Sequence, residues 1–152
     1  MYFCYTDGSC KAGDGAPGGW GVCIKQPDGT TLESHGSAVR TLSKVMEYTA
    51  VAEALAALPA RAEATVFSDS QSLVENCRKR LPSWRQDGWA NVDPQVLTIV
   101  QRIDALIVEK QLIVEWRWIR GHNGNQGNER ADALAAQGAR EAKAALKKEE
   151  AA

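Results

Sequence analysis

The sequence has no long apolar run. It passes directly into M-Y-F-C-Y-T with neither a basic leader nor a hydrophobic leader stretch, and no later run approaches the ~20 residues of a membrane helix. That pattern argues against a spanning or exported chain and predicts a cytoplasmic one with no membrane partner. Cysteine is sparse: Cys4, Cys10, Cys23 and Cys77 include no C-x-x-C pair, and no histidine stands at metal-ligand spacing from them. Neither a zinc site nor a disulfide framework is indicated, and reduced thiols are expected. An excess of positive charge is also absent, because 18 Lys and Arg against 19 Asp and Glu leave a net charge of −1. Any surface that binds a polyanion must therefore be local. No internal repeat is visible.

What is present suffices for one hydrophobic core. With 152 residues, 44% of them hydrophobic, a single domain over residues 1–140 is expected, followed by a polar tail at 141–152 that ends K-A-A-L-K-K-E-E-A-A and should fray. Residues 1–7, 19–26 and T-T-L-E-S-H-G-S-A read as three strands with short links, one of them the P-D-G turn at 27–29. A helix starts at Ser43, a short strand A-T-V-F-S-D follows, and a second helix spans about Gln71 to Arg80. Pro94 opens a third helical pattern, L-I-V-E-W-R-W a last strand, and about Asn128 a final Ala-rich helix. The order βββαβααβα predicts an α/β fold with a mixed five-stranded sheet: an antiparallel meander of three strands, two parallel strands, and helices packed on the sheet.

Four carboxylates fall at telling places. In V-M-E-Y-T-A-V-A-E-A-L, Glu47 shares the helical stripe of Ala50, Val51, Ala54 and Leu58, so a charge sits on the most apolar face. An unpaired buried carboxylate costs several kcal/mol, comparable with the whole stability of a small domain. Asp7 ends the first strand and Asp69 ends the fourth. Adjacent parallel strands lie about 5 Å apart, so pairing of these two strands would bring both carboxylates to one sheet edge. Asp132 lies in N-E-R-A-D, in the first turns of the last helix. Taken singly, Asp7, Asp69 and Asp132 are ordinary turn, cap or helix-dipole residues. Glu47 has no such account except a buried ion pair, which gains little. Several carboxylates in one place repel one another unless a hard divalent cation such as Mg²⁺ lies between them.

Y-T-D-G-S-C, the M-E of the first helix, S-D-S-Q, and G-H-N-G-N-Q-G-N-E-R-A-D together resemble the signature segments of type 1 ribonuclease H, in the same order and over residues 2 to about 140. The resemblance implies a ribonuclease H-like fold with helices on both sheet faces. It also implies endonucleolytic hydrolysis of the RNA strand of an RNA·DNA hybrid, leaving 5′-phosphate and 3′-hydroxyl ends. Asp7, Glu47, Asp69 and Asp132 match the family's metal-binding catalytic carboxylates, with Asp7 as the bridging ligand of two Mg²⁺ ions, for which Mn²⁺ can substitute. His122, in a Gly/Asn-rich loop, matches the proton carrier.

For the substrate, Gly8, Ser9, Ser70 and Gln71 flank the catalytic aspartates and suit contacts to the RNA strand. Trp84 and Trp89, with Arg78, Lys79, Arg80 and Arg85 nearby, form the clearest basic and aromatic cluster. Arg40 and Asn91 match phosphate-pocket positions. The chain also departs from the family pattern. Leu42, Ser43, Lys44 and Val45 stand where bacterial members usually carry Thr-Asn-Asn-Arg, and the segment after Trp89 lacks a lysine-rich handle. The glycine-rich loop at 12–19 is one residue longer than in the common bacterial form. Lys44 is the candidate replacement for a missing groove-reading amide. These departures bear on affinity rather than chemistry. A monomer with no obligate protein partner is expected. The competing readings are a resolvase or transposase core, a retroelement-derived domain, and a non-catalytic hybrid-binding module.

Overall fold

The structure is a computed structural model that describes residues 1–121 and 124–152. Its strands are β1 (Tyr2–Ser9), β2 (Ala16–Lys25), β3 (Thr31–Thr41), β4 (Glu63–Ser68) and β5 (Ile113–Trp118). They form one mixed five-stranded sheet, as expected, in the order β3-β2-β1-β4-β5. The β1–β2 and β2–β3 pairs are antiparallel, while β1–β4 and β4–β5 are parallel. The meander follows from short links. At P-D-G the Asp28 carboxylate accepts from the Thr30 backbone N–H at 2.9 Å, and the Gly29 N–H donates to the Gln26 carbonyl at 2.9 Å. Parallel pairing needs crossovers, and helices supply them.

One crossover is α1 (Ser43–Ala57), between β3 and β4. Its Val51, Ala54 and Leu55 are fully buried against Cys4, Val22, Ile24 and Val66 of the sheet, and Val100 and Ile103 of α4 (Leu97–Glu109) complete this core. The Lys110 ammonium closes the C-terminal end of α1, donating to the carbonyls of Ala56 at 2.6 Å and Leu58 at 2.7 Å.

On the other face lies α5 (Gln126–Ala151). It approaches β2 so closely that a Cβ on Gly21 would overlap the Ala131 carbonyl oxygen and lie 2.6 Å from the Ala135 nitrogen. Gly19 and Gly21 and the alanines of α5 thus let backbone pack on backbone.

Three helix boundaries differ from expectation for identifiable reasons. The helix expected at 71–80 is α2 (Gln71–Glu75), which passes through a wide π-type turn at Asn76–Arg80 into α3 (Leu81–Gln86). Pro82 has no N–H, and its ring would meet the Arg78 carbonyl in a regular helix; the wide turn relieves that conflict. Helix α4 starts at Leu97 rather than Pro94, because the Asp93 carboxylate holds the Gln95 N–H at 3.0 Å in a local turn. Helix α5 starts at Gln126 rather than about Asn128, since the Asn125 side chain caps it by accepting from the Asn128 N–H at 2.9 Å. Residues 141–151, expected to fray, continue α5 as helix. Two side-chain contacts join that part of α5 to β3: a hydrogen bond between His35 and Glu141 at 3.0 Å and an ion pair of Arg40 with Glu149 at 2.8 Å.

All four cysteines are buried and free. No helix among the described residues is long and apolar enough to cross a membrane.

Candidate active site

Side chains alternate across β1, so Cys4 and Thr6 face α1 whereas Tyr5 and Asp7 face α5. The last β1–β4 register pair is Tyr5 with Phe67, whose rings stack at 4.7 Å with an 8° interplanar angle. Two residues further along each strand stand Asp7 and Asp69. The convergence expected from parallel pairing is therefore built into the register.

Asp132 joins them from the opposite layer. The close seat of Ala131 on Gly21, the residue paired with Asp7 across the β1–β2 ladder, sets the first turns of α5 beside β1. The Asp132 side chain consequently comes near enough to act on the charge of Asp7. Carboxylates brought together repel, which favours the neutral form of the more buried one. Asp7 is 6% exposed, and burial first, then the charge of Asp69 and the nearness of Asp132, push its carboxyl up to about 8.

Glu47 reaches the same edge from α1. Gly8 makes this possible, because a Cβ there would overlap the Glu47 backbone nitrogen and lie 2.6 Å from the Met46 carbonyl carbon. Burial and then the Asp69 charge raise the Glu47 carboxyl, while a hydrogen bond from Ser70 lowers it. Charge thus couples the four expected carboxylates in succession, Glu47 to Asp69 to Asp7 to Asp132. Gly121 also lies at this edge, where a Cβ would sit 3.0 Å from Asp69 Oδ2. His122 lies outside the described residues.

The donor set fits a hard divalent cation. Every side-chain ligand is an oxygen, and a positive charge would replace the proton that Asp7 otherwise retains. No group of three or more His, Cys, Asp or Glu among the described residues converges tightly enough to hold an ion alone. That is compatible with Mg²⁺, which uses one or two carboxylates together with waters and substrate phosphate oxygens.

Beside Glu47 opens a cavity of about 240 Å³ that gathers Lys44, Trp84 and Asn91, three of the expected substrate-binding residues. Tyr48, Ser72, Asn76 and Arg80 line it too. Sequence reasoning missed the first three of these. Asn76 donates to the Tyr48 hydroxyl at 3.0 Å, and only the helical spacing of Ser72 and Asn76 hinted at a shared face. Lys44 is already paired with Asp93 at 2.5 Å, so contact with a phosphate requires this exposed pair to open.

The remaining expected residues are dispersed. Arg40 is engaged by Glu149 and is absent from the cavity lining. Trp89 adopts a left-handed backbone (φ 70°), donates its N–H to the Trp84 carbonyl at 2.8 Å, and packs partly against the core. Gln71 is exposed at the start of α2, with Ser70 capping that helix. The basic cluster is partitioned: Arg78 and Lys79 pair with Glu75, and Arg85 forks onto the buried Asp104 at 3.0 and 3.1 Å from its Nε. Only Arg80 of that run faces the cavity. Ser9 lies on the other side of Asp7, in a groove along α5.

Comparison with known proteins adds an independent line. The RNase H family model matches residues 1–140. A relative named Ribonuclease H from Polaromonas naphthalenivorans (strain CJ2) is 44% identical over 137 residues, covering 88% of this chain and 84% of its own length. Among solved structures, LC9-RNase H1, described as a type 1 RNase H with the type 2 active-site motif, superposes with a TM-score of 0.78. It is 28% identical, over 91% of this chain and 71% of that one. LC11-RNase H1, solved in complex with an RNA/DNA hybrid, shares the fold at a TM-score of 0.67 and 24% identity, over 93% of this chain and 99% of that one.

Proposed function

Since this chain belongs to the RNase H family and is a ribonuclease, we propose that it hydrolyses the RNA strand of RNA·DNA hybrids endonucleolytically, leaving 5′-phosphate and 3′-hydroxyl ends. The observation that carries this reading is the burial of Asp7 against Asp69 and Asp132, with its carboxyl pushed up to about 8. Such an arrangement is costly for a scaffold and useful to an enzyme that neutralises phosphate charge.

Asp7, Glu47, Asp69 and Asp132 would hold two Mg²⁺ ions, with Asp7, which feels the charges of both Asp69 and Asp132, as the shared ligand; Mn²⁺ would substitute. When bound, the ions supply charge neutralisation at the scissile phosphate and activation of water for in-line attack. The protein's own part is positioning. Burial and the close approaches at Gly8 and Gly21 fix where the carboxylates stand before substrate arrives. His122 would protonate the leaving 3′-oxygen or assist release of product, roles that suit an imidazole in a Gly/Asn-rich loop. The cavity lined by Lys44, Arg80, Trp84 and Asn91 would take a phosphate and sugar of the DNA strand, while Gly8, Ser9, Ser70 and Gln71 border the RNA. Arg40 would contribute only if its pair with Glu149 gave way. A cytoplasmic monomer is the proposed setting.

A gel assay on uniformly labelled hybrid, duplex DNA and duplex RNA, with Mg²⁺ and with EDTA, tests this. Metal-dependent cleavage of the hybrid alone is expected. Cutting of duplex DNA would favour a resolvase-like core instead, and binding of the hybrid without cleavage would favour a non-catalytic module.

A further inference from the structure

The far side of Asp7 carries a feature that catalysis does not use. Between the loop after β1 and the C-terminal half of α5 runs a groove of about 570 Å³, floored by alanine, proline and leucine side chains and rimmed by Lys11, Arg140, Lys143 and Lys147. Glu150 is its one acidic residue. The helical cations recur at spacings of three and four, so they share a single stripe, which continues that of Asp132 and Ala136. Among the described residues none of the four cations has a salt-bridge partner. Elsewhere on the same helix Glu141 and Glu149 are turned away to His35 and Arg40 of β3. In its C-terminal half the helix thus turns Glu141 and Glu149 toward β3 and leaves Arg140, Lys143 and Lys147 on the groove, with Glu150 alone opposing them. A chain of net charge −1 carries here the local positive surface that a polyanion requires.

We propose that this groove is a second binding site for the substrate's phosphodiester backbone, gripping a strand of the hybrid several nucleotides away from the cut. The inference rests on the ribonuclease H reading above and extends it. Ser9, two residues beyond Asp7, lines the near end of the groove, so it opens directly onto the catalytic edge. At 1.5 Å rise per residue, Arg140 and Lys147 lie about 12 and 22 Å along α5 from Asp132. With one phosphate per ~3.4 Å of duplex axis on each strand, that reach corresponds to roughly four to six nucleotides. Exposed ammonium and guanidinium groups that neutralise phosphates release counterions, so the contribution must be steeply salt-dependent. The small apolar floor permits close approach of a backbone and offers nothing to read a base, so the grip carries no sequence preference.

The test compares wild type with the triple variant Arg140→Gln, Lys143→Gln, Lys147→Gln on two hybrids, one extending about ten base pairs beyond the cut on both sides and one about three. On the long hybrid the variant should raise KM roughly tenfold or more near 0.1 M salt and flatten the slope of log KM against log salt by about two to three. On the short hybrid KM should not move, and kcat should hold on both. Lys148→Gln, which lies outside the groove lining, should show no length-dependent effect. All three target side chains are exposed, and the double variant Lys143→Gln, Lys147→Gln should give the same pattern at smaller size if the triple variant melts early. An unchanged KM on the long hybrid, or an equal rise on both lengths, would overturn the proposal while wild type still cleaves. If wild type cleaves neither hybrid, the ribonuclease H reading fails instead. Fluorescence anisotropy of labelled long and short hybrids then decides the groove on the same length criterion.

Discussion

Replacing Asp7 by asparagine should abolish cleavage and, without divalent ions, make the protein more stable. The Asp7 carboxyl rises from an ordinary 3.8 to about 8 because it is buried and faces Asp69 and Asp132. Between those two values the native state binds more protons than the unfolded state, so stability falls as pH rises through the interval and stays reduced above about 8. The loss accumulates at about 1.4 kcal/mol per pH unit, which bounds the penalty at pH 7 near 4 kcal/mol. Side-chain relaxation and water entry at the sheet edge reduce it to about half. Asparagine keeps the shape and carries no charge, so Asp7→Asn should gain about 2 kcal/mol at pH 7. For a chain of this length that is roughly 4–8 °C in Tm. The gain should shrink as pH is lowered toward 3.8 and vanish below it, where wild-type Asp7 is protonated in both states. Adding Mg²⁺ should raise the Tm of wild type more than that of the variant. Thermal melts across pH in EDTA, repeated with Mg²⁺, measure all of this. If Asp7→Asn and Asp69→Asn both melted below wild type in EDTA at neutral pH, the carboxylates would not be a repelling set and the case for a metal centre would lose its physical basis.

Gly21→Ala should push α5 away from β2 and shift Asp132 relative to Asp7. We expect a stability loss of about 1–3 kcal/mol and a kcat loss of tenfold or more, read by chemical denaturation and steady-state kinetics. Arg85→Ala leaves the buried Asp104 carboxylate unpaired and should cost about 2 kcal/mol while KM for the hybrid stays within twofold; a large KM effect would return Arg85 to the substrate surface. Grafting a lysine-rich insertion after Trp89 should lower KM and leave kcat alone, since it adds binding shared by ground and transition states. Amide hydrogen exchange should show protection in α5 falling progressively beyond Ala142, the last fully buried residue of that helix. Uniform protection through residue 151 would show that the Arg40–Glu149 pair fixes the tail.

The mixed sheet and the meeting of Asp7 and Asp69 at one end of β1 and β4 were legible because each depends on local pattern: alternation in strands, helical period in α1, and the register imposed by parallel pairing. Glu47 was legible for a negative reason, since no structural role accounts for a charge on that stripe. Helix ends were less so, because they turn on side-chain-to-backbone competition at Asp93 and Asn125. The substrate surface was read least well. Whether Arg85 meets nucleic acid or Asp104, and Arg40 a phosphate or Glu149, is decided by partners 19 and 109 positions away in sequence, which no window of local pattern contains.

The wide turn at Asn76–Arg80 sets a rule for chain length between β4 and β5. It holds one residue more than a regular helix would at that point, and the Leu81 N–H closes it on the Asn76 carbonyl. Deleting a single residue there would restore an ordinary helical ladder with its phase kept, but would drive the Pro82 ring against the carbonyl four positions before it. If α3 moved to relieve that clash, Trp84 would leave the core, Arg85 would leave Asp104, and Arg80 would leave the cavity, while α2 and the Asp69 edge stayed in place. The exposed residues on either side of Trp89, at 87–88 and 90, carry no such constraint, so lengthening the chain there leaves both helices in register. Natural variation in length should therefore collect in that segment and avoid the turn, as should any engineered insertion meant to enlarge the substrate-binding edge.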